Sequence, residues 1–205
     1  MDIGILKTGH ANIKSLSNTV EKLGYSVKQI STADEIEDVN KLILPGVGAF
    51  PAVMAELSKI DMVNAIKRFA ESKPILGICL GMQLMLNSSS EHGFSEGLSL
   101  IRGTVQRLPN SLGPVPHVGW NELLCDDECS LMVGVKERAN AYFVHSYHCK
   151  IDEATKTVFT DFYGEKIVAG FQKENIFGVQ FHPEKSQAVG YAIMKNFLEY
   201  TDAQS

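Results

Sequence analysis

The segment at residues 77–81, Gly-Ile-Cys-Leu-Gly, constrains this chain more than any other. The apolar run at residues 75–78 before it is typical of a buried strand, and residues 82–86 after it are strong helix formers. Gly-x-nucleophile-x-Gly between a strand and a helix predicts a nucleophile elbow, a turn so sharp that the central residue is strained and its side chain stands clear. Glycines flank such a turn because larger side chains would collide there.

Cys79 is therefore the candidate nucleophile. At the N-terminus of the predicted helix, the helix dipole favours a thiolate over a thiol. The alternative is a small buried cysteine at the end of a strand, which is common in proteins. The two glycines, the preceding strand and the following helix together favour the nucleophile.

The rest of the first half alternates strands and helices. We predict strands at 3–6, 25–30 and 42–44, a helix capped by Asn12 and ended by Gly24, and two helical pieces within 49–72. The second half is β-rich, with strands predicted at 98–101, 104–108, 119–124, 142–148, 157–162, 168–172 and 176–181, and a closing helix at 186–200. This pattern predicts an α/β fold, an open and mostly parallel sheet flanked by helices with a smaller β-rich extension.

Length and composition narrow the class of protein. With 205 residues, the chain is expected to form one domain, 1–205. Its net charge of −5 gives no basic footprint for nucleic acid. The N-terminus does not resemble a signal peptide, and no apolar stretch is long enough to span a membrane. We therefore expect no nucleic-acid partner and no membrane.

The four cysteines at positions 79, 125, 129 and 149 are spaced irregularly. They do not suggest a disulfide framework, so the reducing cytosol is the expected compartment. Cys125, Cys129 and the pair His148-Cys149 could be interpreted as a metal site, but the spacing is poor for zinc. We interpret these cysteines as incidental and expect no metal.

A nucleophilic cysteine needs a base and a group that orients the base. Of six histidines, His182 alone ends a strong apolar strand, and it precedes Pro183, which favours an extended backbone. Residues two apart in an extended segment point to the same side, so Glu184 can reach the imidazole. The alternative, a surface turn, is weaker beside an elbow cysteine. We predict a Cys79–His182–Glu184 triad.

An oxyanion hole needs backbone N–H groups near the elbow. Leu80, directly after the nucleophile, supplies one. The loop at residues 45–48, Pro-Gly-Val-Gly, is the candidate for the other, through the N–H of Val47, although the loop alone reads as an ordinary turn. Gln83 lies one helical turn beyond Cys79 and faces either the pocket or solvent.

These residues resemble one family of enzymes. Gly-Ile-Cys-Leu-Gly-Met-Gln with a distant His-Pro-Glu is similar to the class I, triad-type glutamine amidotransferases. Four further segments are similar to the glutaminase subunits of imidazole glycerol phosphate synthase, and the likeness covers the whole chain in order. They are 45–50 (PGVGAF), 116–121 (PHVGWN), 142–147 (YFVHSY) and 180–186 (QFHPEKS).

The resemblance implies hydrolysis of glutamine to glutamate and ammonia through a thioester on Cys79, with no metal or organic cofactor. Ammonia would pass to a separate cyclase subunit, a (β/α)8 barrel, for histidine biosynthesis. Glu91 would pair with the ammonium group of the substrate. The other implied substrate contacts are Gly48, Gln83, Ser146 and Tyr147. The implied partner-facing residues are Asn12, Trp120, Asn121, Tyr142 and Lys185.

The first loop departs from the family pattern at one position. Gly9, Asn12 and Ser15 fit, but Lys7 stands where the family usually has an aspartate. Three other functions remain open at this point. One is a paralogous amidotransferase subunit that supplies ammonia to amidate a surface sugar. The others are a γ-glutamyl or peptide hydrolase that acts alone, and a degenerate amidotransferase-like binding module, against which the intact triad argues.

Overall fold

Fourteen strands, five α-helices and three short 3₁₀ helices lie within the residues that the computed structural model describes, which are 2–8, 12–125 and 128–201. Gly9 of the first loop lies outside them. The 3₁₀ helices are Asp34–Ile36, Ser130–Met132 and Pro183–Lys185. The α-helices are α1 (Ile13–Lys22), α2 (Phe50–Lys59), α3 (Met62–Ala70), α4 (Leu80–Leu84) and α5 (Gln187–Glu199). The strands are β1 (Asp2–Leu6), β2 (Ser26–Ile30), β3 (Lys41–Gly46), β4 (Ile75–Cys79), β5 (Ser88–Ser89), β6 (Ser95–Glu96), β7 (Gly103–Arg107), β8 (His117–Glu122), β9 (Leu124–Cys125), β10 (Asn140–His145), β11 (Tyr147–Ile151), β12 (Lys156–Phe162), β13 (Glu165–Lys173) and β14 (Ile176–Val179).

The largest sheet has eight strands in the order β2-β1-β3-β4-β14-β13-β12-β9. The pairings from β2 to β14 are parallel, and those from β14 to β9 are antiparallel. Two smaller sheets form the β-rich extension, β10-β8 and β11-β7-β5-β6. The predicted α/β fold is confirmed. Strands β3, β4 and β14 lie side by side, so the segments that follow them meet at one edge of the sheet.

Alternation along the parallel strands divides the core between two faces. On β3, Leu42 and Leu44 pack with α2 and α3, whereas Ile43 packs with α1 and α5. Each helix turns an apolar stripe toward the sheet, for example Leu16 and Val20 on α1. Both faces of the parallel half are therefore covered, as buried parallel strands require.

The first predicted helix has the predicted ends. The Oδ1 atom of Asn12 accepts a hydrogen bond from the backbone N–H of Ser15 at 3.2 Å. At the other end, Gly24 has φ of +89°, a left-handed conformation that glycine adopts without strain.

Two predicted strands are wrong. Residues 98–101 are not a strand, because their N–H groups cap the end of α4. Leu98 donates to the Leu84 carbonyl and Ile101 to the Met85 carbonyl, at 2.8 and 3.0 Å. Residues 142–148 form two strands, since the chain changes sheets at Ser146 and pairs first with β8 and then with β7.

One predicted boundary near the site also needs correction. The strand predicted at 176–181 ends at Val179, because the backbone leaves the regular sheet where the site begins. Helix α4 spans Leu80–Leu84 and begins directly after Cys79, as the predicted elbow requires.

The C-terminal helix is fixed to the sheet by a buried lysine. The ammonium of Lys41, at the start of β3, donates to the carbonyl oxygens of Phe197, Leu198 and Tyr200 at 2.8, 2.8 and 2.6 Å. These carbonyls belong to the last turn of α5 and the residue after it, where helices carry unsatisfied acceptors and partial negative charge. Lys41 therefore caps α5 from the neighbouring strand.

We predict that Lys41→Met lowers the free energy of unfolding by roughly 2–4 kcal/mol, because it removes a charged donor that three carbonyl oxygens share. Lys195→Met is the matched control. Lys195 lies on the exposed side of α5, 3.8 Å from Glu199, and its loss should cost less than about 1 kcal/mol. Urea denaturation measures both values, and equal losses would contradict the capping role.

Candidate active site

Cys79 adopts a strained backbone conformation at the junction of β4 and α4. Its φ of 55° and ψ of −111° lie where non-glycine residues are rare. Such a conformation costs on the order of 1–3 kcal/mol and persists only when the surrounding structure enforces it. The predicted elbow is thus present, with Leu80 as the first residue of the helix.

Three glycines let the elbow pack closely against its neighbours. A Cβ atom on Gly81 would lie 1.8 Å from the Leu44 carbonyl oxygen, and one on Gly77 would lie 2.6 Å from the Gly81 carbonyl oxygen. The contact of Gly46 was not anticipated. A Cβ atom there would lie 2.7 Å from the Cβ of Leu80. The loop after β3 therefore lies directly against the elbow.

His182 and Glu184 are held in the predicted relation. The Nδ1 atom of His182 lies 2.9 Å from Oε1 of Glu184, and both side chains are more than nine-tenths buried. His182 has φ of −99° and ψ of 99°, an extended conformation before Pro183. The backbone N–H of His182 donates to the Tyr142 carbonyl at 2.9 Å, which connects this segment to β10.

The environment of His182 raises its pKa. Burial alone lowers the pKa, because it disfavours the charged ring. Side-chain hydrogen bonds with Cys79 and Glu184, and the negative charge of both partners, overcome that effect and raise the pKa to about 9. The imidazolium form is therefore favoured at neutral pH, between the sulfur and the carboxylate.

A chain of amides approaches the sulfur from another direction. The Nε2 atom of Gln83 donates to the Tyr147 carbonyl at 2.9 Å and to Oε1 of Gln180 at 3.0 Å. The Nε2 atom of Gln180 in turn donates to the Cys79 Sγ at 3.7 Å. Gln83 and Gln180 are both buried, so Gln83 does not take the alternative position on the surface.

A cavity of about 380 Å³ opens above the sulfur. Nine of the residues singled out in the sequence line it, and they come from distant parts of the chain. They are Val47, Gly48, Cys79, Leu80, Gln83, Glu91, Ser146, Tyr147 and His182. A larger cavity of about 610 Å³, around Leu123 and Lys136, contains none of them. We therefore assign the smaller cavity as the candidate active site.

The loop after β3 forms one wall of this cavity. Gly48 has φ of +109°, which strongly favours glycine, and Val47 is exposed. Glu91 lies on the same wall, where its Oε2 accepts a hydrogen bond from the Phe50 N–H at 2.7 Å. This hydrogen bond fixes the carboxylate at the N-terminus of α2, where the helix dipole favours a negative charge.

Four of the five residues that the resemblance placed toward a partner lie in one region. Asn12 and Lys185 line a small cavity of about 40 Å³ together with His182 and Glu184. The Lys185 ammonium lies 5.6 Å from the centre of the Tyr142 ring. The Tyr142 ring in turn packs edge-on against the Trp120 ring, with 5.9 Å between the two ring centres.

Asn121, the fifth, is directed inward. Its amide donates to the Asp161 carbonyl and lies 3.4 Å from Nε2 of His117. It is half-buried and contacts the interior of the chain, in contrast to exposed Trp120 beside it.

Sequence reasoning missed three buried polar residues near the cavity. His145 lines it, and its Nε2 lies 3.0 Å from Nδ1 of His117. Gln180 completes the amide chain, and one sequence signal could have found it. Gln180 lies two residues before His182, so both side chains point to the same side of an extended segment. No local pattern indicates the histidine pair, because β8 and β10 are brought together only by the fold.

The cysteines other than Cys79 lie outside the cavity. Cys129 and Cys149 are buried and Cys125 is exposed, and none forms a disulfide. Burial raises the pKa of the Cys129 thiol to about 11. Within residues 2–8, 12–125 and 128–201, no cluster of three potential metal ligands occurs. Over the same residues, no helix combines the length and the apolar character needed to cross a bilayer.

Comparison with known proteins defines the class. A family model described as glutamine amidotransferase class-I matches residues 5–200. The chain therefore belongs to the class I glutamine amidotransferase family.

Curated relatives narrow the assignment. The imidazole glycerol phosphate synthase subunit HisH of Caldanaerobacter subterraneus is 43% identical over 198 residues, covering 96% of this chain and 97% of that protein. The protein of the same name from Streptococcus gordonii is 44% identical over 191 residues, covering 92% and 91%. Within its class, the chain belongs to the HisH family.

Solved structures agree with the fold. The structure of PurLQS from Thermotoga maritima aligns with a TM-score of 0.77 at 18% identity, covering 97% of this chain and 98% of that chain. A glutamine amidotransferase from the same organism aligns with a TM-score of 0.66 at 14% identity, covering 97% and 96%.

We predict that Glu184→Gln lowers the pKa of His182 from about 9 toward the ordinary value, by roughly 1–2 units. The change removes a carboxylate charge but keeps the shape of the side chain. NMR titration of the His182 ring measures the shift, with His182→Ala identifying the resonance. An unchanged midpoint would mean that Glu184 does not stabilise the imidazolium.

The same pKa predicts a pH dependence of stability. The folded pKa of about 9 is above the ordinary value of 6.5, so this stabilisation is complete below pH 6.5 and is lost as the pH rises through 9.

Proposed function

We propose that the chain hydrolyses glutamine to glutamate and ammonia with Cys79 as nucleophile, His182 as general base and acid, and Glu184 as the residue that orients His182. The observation that carries this proposal is that the candidate catalytic, oxyanion and substrate residues meet at one cavity. The sulfur and the imidazole border one cavity beside two candidate oxyanion donors and five candidate substrate contacts. Membership of the class I glutamine amidotransferase family supports the reaction.

In the first half of the reaction, the Cys79 thiolate attacks the carboxamide carbon of glutamine. The N–H groups of Leu80 and Val47 bind the oxygen that becomes negative. Imidazolium His182 gives its proton to the amide nitrogen, the carbon–nitrogen bond breaks, and ammonia leaves a thioester on the sulfur.

In the second half, neutral His182 removes a proton from water, and the resulting hydroxide attacks the thioester. The carbon–sulfur bond then breaks, which releases glutamate and restores the thiolate–imidazolium pair. Every step uses side chains and backbone groups of the chain itself.

The substrate fits the cavity with its charged end away from the sulfur. The Glu91 carboxylate, fixed by the Phe50 N–H, pairs with the ammonium group of glutamine. Gly48, Ser146 and Tyr147 contact the remainder of the substrate, while Gln83 lines the cavity close to the sulfur.

The partner is the cyclase subunit of imidazole glycerol phosphate synthase, a (β/α)8 barrel, which uses the ammonia in histidine biosynthesis. The HisH relatives are named as subunits of this synthase, and all those described here carry that name. The exposed apolar side chains of Val118, Trp120 and Val144, with Lys185 and Asn12 beside them, suit a protein surface. A cytoplasmic location accords with this pathway. The HisH relatives favour this reading over a sugar-amidating paralogue, despite Lys7.

We predict that His182→Ala lowers glutamine-dependent synthesis in the complex with the cyclase by about 10²–10⁴-fold, because it removes the proton carrier. Synthesis supported by ammonium salts should be unchanged, since free ammonia bypasses the glutaminase. His148→Ala is the control, since this buried histidine lies outside the cavity. Loss of the ammonia-dependent rate in His182→Ala would instead indicate a structural role.

We also predict that glutaminase activity is low in the free chain and rises by about 10²–10³-fold when the cyclase binds its nucleotide ligand. That factor is the typical effect of one oxyanion donor, and rotation of the peptide units at Val47 and Gly48 would complete the hole. Gly48→Pro should blunt the rise without preventing assembly, because proline excludes the φ of +109°.

The measurement is kcat for glutamine hydrolysis, alone and in the liganded complex. Gly164→Pro is a matched control, a glycine with φ of +92° in the turn between β12 and β13. Equal kcat values in both states would mean that the loop is a static turn.

A further inference from the structure

Gln180 contacts the Cys79 sulfur but belongs to neither the predicted triad nor the predicted substrate set. Its side chain is completely buried. Its backbone N–H donates to the Ala169 carbonyl at 2.8 Å, which fixes the backbone beside β13. A buried amide held this firmly has few alternative orientations.

Three hydrogen bonds link the Tyr147 carbonyl to Gln83, Gln83 to Gln180, and Gln180 to the sulfur. The direction of all three follows from the Tyr147 carbonyl. The Tyr147 carbonyl can only accept, so the Gln83 group that faces it must be the NH₂ group. The second N–H of that group reaches Gln180, which must therefore present its oxygen to Gln83. The NH₂ group of Gln180 is thus left to face Cys79.

A second hydrogen-bonded chain ends at the same carbonyl. The Nδ1 atom of His145 lies 2.8 Å from the Tyr147 carbonyl oxygen, so this nitrogen carries the proton. Burial lowers the pKa of His145 to about 3, so the ring is neutral and its Nε2 accepts from His117. The Tyr147 carbonyl is therefore held from two sides, which strengthens its role as the reference for the amide orientations.

We propose that Gln180 acts directly on the nucleophile, donating an N–H to the Cys79 sulfur so that it both aims the sulfur and stabilises negative charge on it. This inference rests on the proposed function, in which that sulfur is the reacting atom. It gives the sulfur two donors from the segment that follows β14, Gln180 and, two residues further on, His182.

The second donor matters because His182 has two tasks. In each half of the reaction, His182 exchanges a proton with ammonia or with water, so its hydrogen bond to the sulfur changes as the reaction proceeds. The Gln180 amide does not titrate. Its N–H is available both when the thiolate attacks and when the thiolate is expelled from the thioester, and a hydrogen bond to a charged form favours that form.

The test measures how readily Cys79 is alkylated by iodoacetamide as a function of pH, with mass spectrometry of the peptide that contains Cys79. Gln180→Glu keeps the shape and can still accept from Gln83, but an ionised carboxylate cannot donate to sulfur. Gln180→Met removes the donor without adding charge. Only the thiolate reacts, so the pH midpoint of alkylation reports the stabilisation of charge on the sulfur.

We expect the midpoint to rise by about one pH unit in Gln180→Met and by about two in Gln180→Glu, with a fall in kcat that exceeds any change in KM. Gln172→Glu is the matched control. Gln172 is a buried glutamine on neighbouring β13 whose amide contacts Ser130 and Glu174. In Gln172→Glu, the pH midpoint of Cys79 alkylation should equal that of the unmodified chain.

Circular dichroism identifies any variant that does not fold, and either Gln180 variant is sufficient for the test. Identical midpoints in the folded Gln180 variant and the unmodified chain would overturn the role of Gln180. A chain in which Cys79 shows no thiolate-dependent alkylation, while a glutamine analogue labels another cysteine, would overturn the proposed function itself. The two failures are therefore distinguishable.

Discussion

The site depends on how closely two backbone segments approach each other at the end of β4. The Gly81 backbone packs on the Leu44 carbonyl so tightly that not even a methyl group fits between them. The same close packing places Gly46 against Leu80. These contacts exclude other backbone conformations and so maintain the strained conformation of Cys79. The strain lowers stability at this one residue, and the same contacts fix the sulfur in the lining of the cavity.

The parallel sheet brings the remaining groups to that sulfur. Strand β4 lies between β3 and β14, and the three strands end at the same edge. The loop after Gly46, the candidate nucleophile Cys79 and the segment of Gln180 and His182 lie at these three ends. Residues separated by more than a hundred positions in the chain thus meet without any long connection, as open α/β sheets commonly allow.

The sequence allowed prediction of the parts of the site that depend on local geometry. The elbow is defined by glycine spacing and by a strand followed by a helix. The predicted Glu184–His182 contact is present, but the reason given for it was wrong. His182 is extended, whereas Pro183–Lys185 is a 3₁₀ turn in which the Lys185 N–H donates to the His182 carbonyl. Both features are nevertheless local, because each is formed within a few residues. The residues proposed to contact substrate were obtained from resemblance, and they line one cavity.

The parts that could not be predicted depend on tertiary contacts. An apolar run at residues 98–101 reads as a strand, yet its N–H groups bind the end of α4, a partner that local sequence does not indicate. The change of sheets at Ser146 has the same character. Buried polar residues such as His117 and His145 are invisible to hydrophobic patterns, because their interior positions depend on partners from separate strands.

Strand β8 shows how one alternating pattern serves the surface and the site together. Val118 and Trp120 point outward and are exposed, whereas His117 and Asn121 point inward. The inward row continues through His145 to the Tyr147 carbonyl, which also orients Gln83. Both rows belong to one strand, and the inward row is hydrogen-bonded to His145, which lines the cavity. The exposed face and the cavity are therefore connected through β8 by a short series of hydrogen bonds.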